Sequence, residues 1–330
     1  MPARIHEPDD ATIAAAAARL AEGGLVALPT ETVYGLGADA RSDAAAAGIY
    51  AAKGRPAGNP LIVHVAAGAP PTAWVRSWTP QAARLADAFW PGPLTLVLAA
   101  SEHASTTVRA GGDTVALRCP DHPVAQRLLA AFGSGIAAPS ANRSGSISPT
   151  TAAAVATELA GAPGELMVID GGPCPVGIES TIVDVSGPAP RLLRPGTITA
   201  EDVAACLGTP LEAAGAGSPA HPGSAPRHYA PGTPLVLAAP DELASAVAGA
   251  HATREPFVVL ARAWPAGVPS TGGTLLELPG TLPELARDIY RLLREADGAG
   301  AARIVCELPE GSGIGMALRD RLTRAATPAG

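Results

Sequence analysis

Lysine is almost missing from this chain. Of 23 basic residues all but one are arginine, and the exception is Lys53, in the run Lys53-Gly54-Arg55-Pro56-Ala57-Gly58-Asn59-Pro60. A composition so rich in Ala, Gly, Pro and Arg points to a GC-rich coding background, which replaces lysine by arginine wherever either serves. The surviving lysine marks a place where a planar fork does not stand in for a compact ammonium on a flexible stem. A phosphate cradle is one such place. Aromatic residues are also scarce, at 3%, so a 47% hydrophobic chain has to pack its core from Ala, Val, Leu and Ile. No apolar run approaches the roughly 20 residues of a membrane span. Glu7, Asp9 and Asp10 stand where a secretory leader would need basic and apolar residues. The expectation is a cytoplasmic protein with no membrane partner.

The four cysteines, Cys119, Cys174, Cys206 and Cys306, are far apart and form no C-x-x-C, which gives no support to a zinc knuckle or a dithiol redox centre. The seven histidines form no H-E-x-x-H, and no protein-held catalytic metal is expected. Net charge is −7, with 13 basic against 18 acidic residues through Gly208 and 10 against 12 after it. Neither part has the excess of cations that a dedicated nucleic-acid binder needs. Arginines distant in sequence can still assemble a local basic cleft, which leaves room for a weak tRNA contact.

Length suggests about two domains. Helices are expected over Asp9–Ala21, Asp43–Ala52 behind a Ser42 cap, Pro80–Phe89, Pro123–Phe132, a stretch capped by Thr150 or Thr151, and Ala200–Leu207. Strands are expected at Leu25–Leu28, Leu61–Val65, Leu94–Leu98, Thr114–Leu117, Ile136–Ala138, Leu166–Ile169, Ser180–Val185 and Arg191–Leu193. Some strands follow one another without a helix between them, so residues 1–208 read as one α/β domain with a mixed sheet. Residues 209–234 are dense in Gly, Pro, Ala and Ser and read as a linker. Near its end stands Arg227-His228-Tyr229-Ala230-Pro231, which is not linker composition. Residues 235–330 read as a smaller α/β unit, with strands at Leu235–Leu237, Phe257–Leu260 and Arg303–Cys306 and a helix over Pro283–Ala296. Gly311-Ser312-Gly313-Ile314-Gly315 opens a final helix. Glycine spacing of this kind can cradle phosphate, but no lysine follows it and the signal is weak.

Three polar, Gly-rich loops follow strands in the first domain, where α/β sheets bind ligands. They are Pro29–Gly37, the Lys53 loop leading into Leu61-Ile62-Val63-His64, and Ala138–Gly145. Together with Trp90-Pro91-Gly92-Pro93-Leu94-Thr95, Ile178-Glu179-Ser180-Thr181-Ile182 and Leu193-Arg194-Pro195-Gly196, they resemble in order the signature of the YrdC/Sua5 family. The Arg-His-Tyr segment and a C-terminal unit ending in Gly313-Ile314-Gly315 are similar to the longer, two-domain Sua5 form. One departure is Gly223-Ser224-Ala225-Pro226, where that form usually carries a basic or aromatic residue.

The resemblance implies a YrdC-like mixed twisted sheet with helices, followed by a smaller Rossmann-like Sua5 domain. It implies an L-threonylcarbamoyladenylate synthase, a nucleotidyltransferase that joins L-threonine, bicarbonate and ATP and releases pyrophosphate. Its product would pass to the proteins that modify the adenosine beside the anticodon of certain tRNAs (the t6A modification). Magnesium would accompany ATP. By resemblance, Lys53, Arg55, Ser140 and Asn142 form the catalytic tetrad. Arg55, Asn59, Thr114, Ser140, Ser148 and Arg194 fall on ATP-contacting positions, and His228 and Tyr229 would close over the nucleotide as a lid. Thr32, His64, Arg118 and Ser180 fall on threonine-contacting positions, with Arg118 the natural partner of a carboxylate. Glu31 and Glu179 lie inside motifs with no role assigned. Two other readings stand beside this one: an RNA-binding or regulatory module using the same cleft, and a carbamoyl-adenylate enzyme.

Overall fold

The computed structural model describes residues 3–162, 164–215 and 217–328. The chain divides into two compact units, the first of residues 1–144 and 148–224, the second of residues 145–147 and 225–330.

In the first unit the elements run β1 (Arg4–His6), α1 (Asp10–Ala21), β2 (Val26–Leu28), β3 (Gly35–Asp39), α2 (Asp43–Lys53) and β4 (Ile62–His64). Next come α3 (Pro80–Phe89), β5 (Leu94–Ala99), β6 (Thr114–Arg118), α4 (Pro123–Phe132), β7 (Ile136–Ala137) and α5 (Ala152–Glu158). The last are β8 (Met167–Ile169), β9 (Thr181–Asp184), β10 (Arg191–Arg194), α6 (Ala200–Leu207) and β11 (Glu212–Ala213). The helices start where the sequence offers caps. Asp9, Ser42, Thr79, Thr151 and Thr199 each accept a first-turn amide through a side-chain oxygen, a contact worth about 1 kcal/mol apiece. Proline at the first turn of α3 and α4 adds a preset φ where no amide partner is needed.

These strands form one mixed sheet in the order β1-β8-β2-β3-β7-β4-β6-β5-β9-β10-β11. Pairs β4/β6 and β5/β9 are parallel, while β2/β3, β4/β7, β5/β6 and β9/β10 are antiparallel. Val63, Leu94, Leu96, Leu98, Val115, Leu117 and Val183 point from one face into the main core with α2 and α3 residues such as Ile49 and Leu85. A second cluster, around Ile13, Leu20, Leu128 and Ile169, joins α1 and α4 to the sheet.

The expected linker, residues 209–234, is not one segment. Its first part belongs to the first unit, where Glu212 and Ala213 add a parallel strand beside β10. Its last part, from Ala225, belongs to the second unit. Composition read these residues as irregular because two ladder pairs leave little periodic trace. The second unit continues with β12 (Leu235–Ala238), α7 (Leu243–Ala252), β13 (Phe257–Ala261), β14 (Gly273–Glu277), α8 (Leu282–Asp297), β15 (Arg303–Glu307) and α9 (Ile314–Ala326). Its sheet is all-parallel in the order β12-β15-β13-β14. α8 carries the strongest amphipathic pattern, with Leu285, Ile289, Leu292 and Leu293 buried behind a Thr281/Glu284 capping box. The glycine run before α9 has a packing cause: a Cβ on Gly315 would stand 1.8 Å from the Glu310 carbonyl oxygen. Among the described residues, no helix is long and apolar enough to cross a membrane.

Candidate active site

Strand register builds the site. In β4 and β6, Ile62 lies opposite Ala116 and His64 opposite Arg118. On the other side of β6, Thr95 of β5 faces Arg118 and Val97 faces Ala116, and Thr95 in turn faces Ile182 of β9. Side chains alternate along a strand, so Thr114, Ala116, Arg118, Ile62, His64, Thr95 and Ile182 share the face turned away from the main core. Ile62, Val97, Ala116, Ile182 and Leu193 form a small apolar cluster there. The polar site residues therefore spread across a sheet face with an apolar floor and are not confined to loop tips at strand ends.

At one end of this face lies a buried charge cluster. Arg118 Nη2 is 2.7 Å from Glu31 Oε1, with both side chains about 5% exposed or less. The contact lacks hydrogen-bond alignment, and Arg118 Nε and Nη2 and both Glu31 carboxylate oxygens have no hydrogen-bond partner. His64 Nδ1 is likewise unpartnered. Burial, then the positive charge of Arg118, holds the His64 imidazole down at about 3, against a slight upward pull from backbone contacts. His64 is thus a neutral ring at physiological pH. Thr32 lies in a Ser/Thr turn, its hydroxyl 2.9 Å from that of Thr30. The Ser180 hydroxyl lies 2.7 Å from Thr95 Oγ1 and accepts from Arg194 Nη2 at 3.1 Å. Arg194 also donates through Nε to the Ser180 carbonyl and through Nη1 to that of Pro222.

The lysine turns out to be the last residue of α2, ahead of the Gly54 cap. Its ammonium is fully enclosed and donates to the Ser140 carbonyl at 2.5 Å, the Asn142 carbonyl at 2.5 Å and Asn142 Oδ1 at 3.3 Å. Three acceptors match three N–H donors. Burial, reinforced by the nearby Arg55 cation, holds Lys53 well below the usual lysine range, while Glu158 pulls it up. Lys53 therefore ties α2 to the Ser140–Asn142 loop, and its Nζ donors are directed at that loop. Arg55 donates to the carbonyls of Asn59 and Pro60, and Tyr50 also donates to Asn59, which shapes the turn on which Asn59 sits. Asn59 Oδ1 is buried without a hydrogen-bond partner. Ser148 donates to Glu179 Oε1 at 2.6 Å.

Lys53, Ser140 and Asn142 thus meet directly, His64 stands beside Arg118, and Ser180 beside Arg194. Thr114 opens β6, at the opposite end of that strand from Arg118. His228 and Tyr229 belong to the second unit. There Tyr229 stacks on Tyr290 at 5.8 Å, Arg321 lies over its ring at 5.4 Å, and the His228 amide donates to the Arg324 carbonyl. Sequence reasoning left three partners unassigned: Glu31 on Arg118, Glu179 on Ser148 and Thr95 on Ser180. All three lie inside the matched motifs, and for Glu31 and Glu179 the available signal was the lone carboxylate in each motif.

Comparison with known proteins identifies the family. A family described as telomere recombination, which groups Sua5, YciO and YrdC, matches residues 18–196. One described as threonylcarbamoyl-AMP synthase, C-terminal domain, matches residues 198–327. The threonylcarbamoyl-AMP synthase of Bacillus subtilis is 40% identical over 326 residues, covering 96% of this chain and 94% of its own length. That of Pyrococcus abyssi is 38% identical over 326 residues, covering 94% and 93%. The crystal structure of P. abyssi Sua5 complexed with L-threonine superposes with a TM-score of 0.89 at 36% identity, covering 98% of this chain and 97% of that one. This chain belongs to the Sua5/YrdC family of threonylcarbamoyl-AMP synthases, in its two-domain form.

Proposed function

We infer that this protein makes threonylcarbamoyl-AMP and pyrophosphate from L-threonine, bicarbonate and ATP. The observation that carries the reading is the buried Arg118–Glu31 pair beside neutral His64, with N–H donors and carboxylate oxygens left unpartnered. Enclosing two charges without full hydrogen bonding is costly. A zwitterionic amino acid repairs the deficit, its carboxylate on Arg118 and its amino group on Glu31. Neutral His64 adds no further charge, and the Thr32 and Ser180 hydroxyls suit the alcohol of threonine. The P. abyssi relative that this chain superposes on was crystallised with L-threonine, which supports the same ligand here.

Threonine's amine and bicarbonate condense to a carbamate with loss of water. A carbamate oxygen then forms a bond to the α-phosphorus, the bond from that phosphorus to the bridging oxygen breaks, and pyrophosphate leaves. The work asked of the protein is positioning and charge neutralisation. Arg55 and Arg194 supply fixed guanidinium groups for the phosphates, while Asn59, Thr114, Ser140, Asn142 and Ser148 supply neutral contacts to the nucleotide. Lys53 acts through the Ser140–Asn142 loop that it holds. Glu31 is engaged with Arg118 and Glu179 with Ser148, and among the described residues no group of three or more His, Cys, Asp and Glu could hold a metal. That donor set fits magnesium carried by the nucleotide's own phosphates, where it would neutralise the departing pyrophosphate. The product would pass to a tRNA-modifying partner in the cytoplasm. The test is pyrophosphate release from ATP with and without L-threonine and bicarbonate. Release that needs both is expected, and release indifferent to threonine would refute the reading.

A further inference from the structure

Two buried hydroxyls stand side by side within the first unit. Thr95 on β5 and Ser180, one residue ahead of β9, are both 0% exposed, and their side-chain oxygens lie 2.7 Å apart. Arg194 Nη2 donates to the Ser180 oxygen at 3.1 Å. Among the described residues neither hydroxyl has another partner. The two hydroxyls carry two protons, and their mutual contact uses one of them. Arg194 cannot accept the other, because a guanidinium only donates. One buried O–H donor therefore lacks an acceptor, a costly state unless a ligand supplies one. Register places that donor. Thr95 lies directly opposite Arg118 on one side and Ile182 on the other, so its side chain shares the sheet face of the Arg118–Glu31 pair.

Distance alone allows either oxygen to be the donor. A chain in which each hydroxyl accepts once and donates once reinforces itself. Arg194 then donates to Ser180, Ser180 donates to Thr95, and the Thr95 proton is the one left over. Ser180 keeps a second lone pair, so the two hydroxyls together offer one donor and one acceptor. An alcohol matches both, whereas a methyl group in its place leaves both unmet, and a site built in this way rejects the analogue that lacks the hydroxyl. We propose that Thr95 is a further substrate-contacting residue that sets the preference for a hydroxylated amino acid: its hydroxyl, aligned by Ser180 and Arg194, donates to the side-chain oxygen of threonine. This rests on the threonine reading of the Arg118 pocket given above, in which Thr95 had no role.

The test uses the full chain with Thr95→Val and Thr95→Ser. Valine has threonine's branched shape and suits a buried strand, so the fold is kept while the hydroxyl is lost, and serine keeps the hydroxyl. L-threonine and L-valine are titrated calorimetrically into the parent and both variants, alongside a thermal melt and steady-state kinetics. Thr95→Val should bind threonine about tenfold more weakly and valine no more weakly than the parent does, so the preference for threonine falls about tenfold. KM for threonine should rise in parallel, and Thr95→Ser should retain the preference. An unchanged threonine-to-valine ratio in Thr95→Val overturns the proposal, whether both affinities hold or both fall together with the melting point. An equal loss of preference in Thr95→Ser overturns it as well, and so does a parent that binds the two amino acids alike. A parent that binds threonine but releases no pyrophosphate refutes the proposed reaction alone, because the affinity ratio still decides the role of Thr95. A parent that binds no threonine refutes both.

Discussion

Replacing Lys53 tests whether a compact ammonium is needed where the chain keeps its one lysine. In Lys53→Met the Ser140 and Asn142 carbonyls lose their donor at 2.5 Å. A buried polar group left unsatisfied costs about 1–3 kcal/mol, so the two together cost about 2–6 kcal/mol. Removing a fully enclosed ammonium returns part of this by lifting its desolvation penalty, which leaves about 3 kcal/mol. Lys53→Arg keeps the charge but forces a larger, planar group into a buried site, at about 1–3 kcal/mol. If that loss fell wholly on the transition state, at tenfold per 1.4 kcal/mol, turnover would fall about 100-fold in Lys53→Met and about tenfold or more in Lys53→Arg. Melting points should drop by about 5–10 °C for a loss near 3 kcal/mol in a domain of this size. The assay is threonine-dependent pyrophosphate release, with far-ultraviolet circular dichroism to confirm folding. Near-parental turnover in Lys53→Arg would refute the inference from lysine scarcity. A destabilised Lys53→Met with unchanged turnover would show that the tether does not serve the chemistry.

Other consequences follow from the same geometry. Arg118→Gln leaves Glu31 buried and uncompensated, so unfolding in urea should show a loss of about 3–5 kcal/mol. L-threonine, which should raise the parent's melting point, should leave this variant's unchanged. His64 is held neutral at about 3, whereas in the unfolded chain it gains a proton below about 6.5. Between those values the unfolded state binds more protons, so stability falls as pH falls, by up to about 1.4 kcal/mol per pH unit. Urea titrations from pH 7 to 4 should show this slope reduced in His64→Asn, and identical slopes would contradict the burial argument. Glu179→Gln keeps an acceptor for Ser148 but removes a buried charge, and should alter KM for ATP while leaving KM for threonine unchanged.

Much of the fold is legible in local chemistry. Ser42, Thr151 and Thr199 mark helix starts because a hydroxyl there caps an amide that would otherwise lack a partner. β3 was not legible, since Gly35-Leu36-Gly37 reads as a turn. In the sheet, Gly37 is needed for close packing: a Cβ there would lie 2.8 Å from Ile136 and 2.9 Å from Leu28. α7 was missed because its Ala- and Gly-rich sequence carries little amphipathic contrast. β1 was missed because it is three residues long and pairs with β8, distant in sequence, and β14 because it is an edge strand with no fully buried residue. The site shows the same divide. The motifs identified the residue types, but the pairing of Arg118 with Glu31 depends on how separate segments of the sequence come together. So does the Lys53 grip on two backbone carbonyls, which carry no side-chain identity for a motif to record. The common face shared by His64, Arg118 and Thr95 depends in the same way on register.

The most direct measurement is mass spectrometry of the small molecules formed from ATP, L-threonine and carbon-13 bicarbonate. A threonylcarbamoyl-adenylate heavier by one mass unit than the product from unlabelled bicarbonate is predicted, with pyrophosphate in equal amount. An adenylate that carries no label, or label incorporated without threonine, would contradict the account.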